Sequence, residues 1–239
     1  MRRLKKILKI LLISILSLSI ILVFGLFVYT RGSYKALDQM YQEVELLDTL
    51  EIAYINDFDQ ISYFVENPIK NIVIVPGGKV KPESYMYIAI SLAAQGYDVT
   101  IVKTVFNLAI LTPNYGARFL IEDIDNVVIG HSLGGTVASL FSSGIDYVSD
   151  IVFLASYPIA DVTDKNVLII TAEFDEVLDL EDIEGSRELL PEDVLEFEIV
   201  GGNHAQFGWY GMQKDDGDAR ITTKEQQDIM INQIIDFIQ

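Results

Sequence analysis

The chain has 239 residues, 50% of them hydrophobic, which is enough for about one domain with a sizeable core once an apolar N-terminal segment is set aside. It has no cysteine, which excludes disulfides, thiolate metal sites and a cysteine nucleophile. Beyond residue 30 it carries 12 basic and 35 acidic residues, a net of −23, which argues against nucleic-acid binding and against a body that lies on an anionic membrane.

Residues 1–9 hold five basic side chains, Arg2, Arg3, Lys5, Lys6 and Lys9, and no acid occurs before Asp38. From Ile10 to Thr30 there is no charge. A helix of that length spans roughly 31 Å, about one hydrocarbon core. The apolar part is longer than the h-region of a signal peptide and is followed by no small-x-small cleavage site. The expectation is an uncleaved signal-anchor at 10–30, a cleaved signal being the alternative. Basic residues mark the cytoplasmic side. The chain is therefore expected as a single-pass protein of the cell membrane, its N-terminus cytoplasmic and its main domain extracytoplasmic. Residues 31–48 are polar with scattered apolar positions and read as a stalk or short helix. Residues 49–239 form the expected domain.

Within that domain, Leu50 to Ile55 and Ile61 to Glu66 carry β-formers around Asn56-Asp57-Phe58-Asp59, which predicts a hairpin. Asn71 to Val75 (NIVIV) is a short continuous apolar run, as for a strand buried on both faces. Pro82 to Ala94 has helical spacing, with Pro82 in its first turn and Gly96 just past its end. Val99 to Val102 is the next strand. A loop over 103–115 and a short helix over 117–121 follow. Asn126 to Ile129, Ile151 to Ala155, Val167 to Thr171 and Leu195 to Val200 are further strands. Helical patterns cover Ser132 to about Ser143, Leu178 to Leu190 and Lys224 to Phe237, the last capped by Thr222 or Thr223. Strands alternating with helices predict an α/β fold, a mostly parallel sheet with helices on both faces. The stretch between Ala155 and Val167 is too short for a lid domain, so an open site covered by loops is expected.

The chemistry centres on Gly130-His131-Ser132-Leu133-Gly134, a Gly-x-Ser-x-Gly run between a strand and a helix. Such a turn strains the serine backbone and pushes its hydroxyl clear of the sheet. A serine hydroxyl needs an adjacent base, and the base an orienting carboxylate. The chain has two histidines. His131, at the strand end beside the serine, points to the other side of the turn and is expected to be structural. That leaves His204, in Gly201-Gly202-Asn203-His204 after the last strand. Asp175, after Val167 to Ala172, is the best-placed acid, with Glu173 and Asp179 as rivals. One oxyanion N–H is expected from Leu133, at a helix N-terminus, and the second from Gly78 or Lys79, in the loop after NIVIV. Phe207, Trp209 and Tyr210, just past the base, are candidates for a substrate-binding wall, with plain core packing as the alternative.

From about residue 50 onward the sequence resembles the α/β-hydrolase superfamily, and within it the compact, lid-poor "fold-5" type. The resemblance is carried by VPGGKVKPESY (75–85), FNLAIL (106–111), IGHSLGG (129–135), ASYP (155–158) and above all GGNHAQFGWYGMQKDDGDA (201–219). It implies an α/β-hydrolase fold, Ser132, Asp175 and His204 as a triad, and neither a metal nor an organic cofactor. Two positions depart from the pattern: Glu173 stands where a small residue is more usual, and Pro76 stands before the oxyanion glycines where many members have histidine. The expected protein is a membrane-anchored serine hydrolase acting on a small-molecule, ester-like substrate. A catalytically silent scaffold acting as a surface binding protein, and an acyltransferase, are the alternatives.

Overall fold

The computed structural model describes residues 2–47 and 52–239. The expected strand start at Leu50 and the expected domain boundary at 48/49 lie outside the described residues. The chain divides into two units, one ending at Ser33 and one running Tyr34–Gln239.

The first unit is essentially one helix, α1 (Arg2–Thr30). Its residues 3–30 are long and apolar enough to cross a membrane, with a mean hydropathy of 2.9 over an 18-residue window. Among the described residues the unit contains only this helix and the three residues after it, which offer the helix no core to enter.

The second unit is built on an eight-stranded sheet in the order β1-β2-β4-β3-β5-β6-β7-β8. Here β1 is Ala53–Asn56, β2 Gln60–Phe64, β3 Asn71–Val75, β4 Asp98–Val102, β5 Asn126–His131, β6 Val148–Leu154, β7 Asn166–Ala172 and β8 Leu195–Ile199. The expected hairpin is β1 and β2, paired antiparallel; β2 also runs antiparallel to β4, and every other pairing is parallel. The inner strands are apolar on both faces because both faces are covered. Their side chains alternate between two cores. Ile72, Ile74, Val127, Ile129, Leu168 and Ile170 enter the one, while Val73, Val75, Val128, Ile151, Phe153 and Ile169 enter the other. The first core is closed by α2 (Asp38–Leu47), α3 (Met86–Ala93) and α6 (Thr223–Ile238), the second by α4 (Leu133–Ser142) and α5 (Leu180–Gly185).

The segment over 34–47 is more than a stalk. Met40 and Val44, four residues apart on one face of α2, are buried in the first core beside α3. The Tyr34 main chain bridges to the loop after β3, donating to Lys79 O at 2.7 Å and accepting from Lys81 N–H at 2.9 Å. Its many polar residues conceal this in the sequence, because two buried side chains per ten make a thin stripe. The loop over 103–115 contains 3-10 turns at Val105–Asn107 and Ala109–Leu111. The short helix expected at 117–121 is a 3-10 turn at Gly116–Phe119.

Strand order reverses at β3: the chain leaves it for β4 on one side and returns to β5 on the other. At such a switch point the loops from the two strands diverge and leave a crevice beyond their carboxyl ends. The loop after β3 and the turn after β5 therefore open onto the same space.

Candidate active site

Ser132 sits between the last residue of β5 and the first of α4 with φ 51° and ψ −128°, a conformation that side-chain-bearing residues rarely adopt. Three hydrogen bonds hold it there. Its N–H donates to Leu154 O (2.9 Å), and its carbonyl accepts from Ser156 Oγ (2.6 Å) and from Gly135 N–H (2.9 Å). The flanking glycines are required by close approach. A Cβ on Gly130 would strike the Gly135 backbone, and one on Gly134 would strike the Val75 and Pro76 carbonyls.

His204 follows β8 and is 2% exposed; its Nδ1 lies 2.8 Å from Asp175 Oδ2. An ionised carboxylate only accepts, so Nδ1 carries the hydrogen and Nε2 is left with a free lone pair. The other Asp175 oxygen accepts from the Val177 and Leu178 N–H groups at 2.9 and 2.8 Å. The rival acids are engaged elsewhere: Glu173 accepts from Gly201 N–H at 2.9 Å, and Asp179 caps α5 by accepting from Glu181 N–H.

Ser132 and His204 border one cavity of about 200 Å³, walled by Leu133, Tyr157, Val177 and Leu178 among others. Leu133 heads α4, so its N–H has no carbonyl within the helix to bond. In the loop after β3, Gly77 N–H donates to Tyr85 Oη (2.9 Å) and Lys79 N–H donates to Asn107 O (2.8 Å). Gly78 N–H has no protein acceptor among the described residues, and the Gly78 Cα hydrogen faces the Leu133 side chain, 3.0 Å from where a Cβ would lie. Of the two alternatives for the second oxyanion donor, Lys79 is therefore already committed and Gly78 is free.

His131 is buried behind this centre. Its Nδ1 lies 2.7 Å from Tyr85 Oη, and its ring packs 4.8 Å from that of His204. Burial, and next the neighbouring His204, hold it well below the usual histidine range, so it is neutral. Its Nε2 is buried and makes no regular hydrogen bond among the described residues, and a weak hydrogen-bonding interaction of the ring with the His204 main chain only partly opposes the fall.

Phe207, Trp209 and Tyr210, candidates for a substrate wall or for core packing, lie in the core. They are 0%, 4% and 4% exposed and belong to the first core, not to the lining of the cavity that Ser132 borders. Trp209 N–H donates to Ser84 O at 2.8 Å, its ring meets Tyr87 edge-on at 5.0 Å, and Tyr210 packs against Tyr34 at 5.3 Å. Burying such rings contributes roughly 1.5–3 kcal/mol each, which an exposed pocket wall would forgo.

Three positioning residues escaped the sequence reading. Asp216 accepts from the N–H groups of His204 (3.3 Å) and Ala205 (2.8 Å). Gln226, fully buried on α6, accepts from Asn203 N–H at 2.9 Å and donates to Asn203 O at 2.8 Å. Gln227 donates to Gln206 O at 2.7 Å. The available signal was a pair of uncharged amides in the first turns of a helix whose other inward positions are aliphatic, next to a capping box at Thr222 and Glu225.

Comparison with known proteins bears on this arrangement. No curated protein matches the chain. Among solved structures, it is similar to a predicted CIB-like hydrolase from Thermoplasma acidophilum, with a TM-score of 0.56 and 13% identity over 77% of this chain and 99% of that one. It is also similar to a ferulic acid esterase from Streptomyces cinnamoneus (TM-score 0.57, 16% identity, 71% of this chain and 66% of that one). A carboxylesterase from Bacillus subtilis is a third (TM-score 0.53, 10% identity, 84% and 97%). These likenesses are of fold. The family model described as "Alpha/beta hydrolase family" matches residues 71–228, a span that takes in the loop after β3, the Ser132 turn, Asp175 and His204. The chain belongs to the alpha/beta hydrolase family.

Proposed function

We propose that this protein is a serine hydrolase of ester-like carbonyls, anchored in a membrane by α1. The observation that carries the reading is the convergence on one cavity of a strained Ser132 and an Asp175-bound His204. Ser132 Oγ attacks the carbonyl while His204 Nε2 takes its proton. Leu133 N–H and Gly78 N–H receive the developing oxyanion. Collapse of the tetrahedral intermediate expels the alkoxide, which leaves as alcohol with the proton from His204. Water, deprotonated by His204, then attacks the acyl-serine and releases the acid. Asp175 holds the imidazole in its tautomer and stabilises the imidazolium. Ester hydrolysis is also the activity named for two of the proteins that share the fold.

The cavity favours small substrates. It carries Asp179 and Asp182, and neither Lys nor Arg lines it among the described residues. A neutral or cationic ester is therefore accepted in preference to an anionic one. For the anchor, α1 has the length and hydropathy, and its basic end is proposed to stay in the cytoplasm with the catalytic unit on the other side.

Labelling with a fluorophosphonate tests the chemistry. Wild type is expected to be labelled and Ser132→Ala not; equal labelling of both, or of neither, sinks the reading. N-terminal sequencing of the mature protein and its retention in carbonate-washed membranes test the anchor.

A further inference from the structure

Behind the oxyanion loop lies a buried polar couple that the mechanism above does not use. Tyr85 is 0% and His131 1% exposed. Tyr85 Oη accepts from Gly77 N–H at 2.9 Å, so its single hydrogen is free for His131 Nδ1, 2.7 Å away. The imidazole is then a neutral acceptor at Nδ1 with its hydrogen on Nε2, which makes no regular hydrogen bond among the described residues, the ring interacting only weakly with the His204 main chain. A leucine would fill the same space without a poorly satisfied buried N–H, so packing alone does not call for an imidazole here.

The couple does two things. It takes up the Gly77 N–H and fixes the Gly77–Gly78 peptide, whose far side is pinned where Val80 N–H donates to Gly77 O and Lys79 N–H donates to Asn107 O. Gly78 N–H is left as the loop's unengaged donor, beside Leu133. The His131 ring also stands 4.8 Å from the His204 ring, tilted by 43°, and so backs the base.

We propose that Tyr85 and His131 are positioning residues for catalysis: together they aim the Gly78 oxyanion donor and brace His204, though neither touches substrate. This rests on the reading of Ser132 as nucleophile.

The test compares Tyr85→Phe, His131→Leu and His131→Asn in the full chain in detergent. Each is assayed on p-nitrophenyl butyrate and normalised to sites titrated by a fluorophosphonate, so that unfolded protein is not counted. The asparagine Oδ1 stands where Nδ1 stands and keeps an acceptor for Tyr85. Tyr85→Phe and His131→Leu are expected to lower kcat about 10- to 100-fold, in the range for a weakened oxyanion donor, with KM within about threefold. His131→Asn is expected to recover to within about fivefold of wild type. The Tyr85→Phe/His131→Leu double variant should be no worse than the poorer single one, because the two act as a unit. An unchanged kcat in Tyr85→Phe overturns the proposal, as does an asparagine variant no better than leucine. A wild type that is not labelled at all overturns the nucleophile assignment and this proposal with it, a result distinct from labelled, unimpaired variants.

Discussion

The two halves of the candidate catalytic site are held by different means. Ser132 is held mainly by backbone. It lies between β5, flanked on both sides by parallel strands, and α4; its glycines and strained φ fall within a few adjacent residues, and its main chain is also tied to Leu154 O and Ser156 Oγ, at and just past the end of β6. Asp175 and His204 ride on loops after the last two strands, and β8 is an edge strand with Leu195 largely exposed. There side chains join the main chain in the holding. Glu173 binds the Gly201 N–H, Phe174 N–H donates to Gly202 O, Asp216 takes the His204 and Ala205 N–H groups, and Gln226 and Gln227 reach in from α6. A turn built from local backbone geometry is specified by adjacent residues. A loop held from more than ten residues away depends on parts of the chain that meet only after folding.

The sharpest way to break the comparison is at Asp175, the acid of the proposed triad on the loop half. Asp175→Asn is expected to lower kcat by about 10³- to 10⁴-fold, as loss of the tautomer-holding acid does in other triads, while Glu173→Gln and Asp179→Asn stay within about tenfold. Steady-state kinetics on a neutral ester decide it, and equal losses at Glu173 would displace Asp175 from its role. Next in size is Phe207→Ala. Because the ring is buried in the core on the histidine loop, stability should fall by about 3–5 kcal/mol in urea unfolding. A wall residue would instead change acyl-length preference at unchanged stability. Smaller again is Gln226→Ala. It strips both amide bonds from Asn203 and should cost about 1–3 kcal/mol, with a several-fold drop in kcat because the base loosens. The smallest effect is expected at Thr222→Ala, which removes the α6 capping box for about 1 kcal/mol and leaves kcat unchanged. A kcat loss there equal to that at Gln226 would mean that α6 acts on the site as a whole and not through its amides.

Legibility in the sequence follows the same division. The inner strands read directly: NIVIV is β3 residue for residue, because a strand covered on both faces must be apolar throughout. The elbow also read directly, since Gly130, Ser132 and Gly134 are needed at fixed offsets by one local turn. Counting histidines singled out His204, and its Nδ1 lies 2.8 Å from Asp175 Oδ2. The acidic stretch Glu173 to Asp179 could only be narrowed to a best candidate. Carboxylates two to four residues apart differ little in sequence and diverge only when each finds its own N–H or imidazole.

What the sequence by itself determined was the alternation of buried strands and helices and the strained serine turn, both properties of neighbouring residues and their periodicity. Tertiary structure decided the rest. It engaged Lys79 N–H with Asn107 and left Gly78 free, and it drew Phe207, Trp209 and Tyr210 into the core. It also docked Met40 and Val44 beside α3 and brought Asp216 and Gln226 to the histidine loop. In each case the physical reason is the same. A polar group or ring takes the partner that folding brings within reach, and that partner lies too far along the chain for local pattern to name.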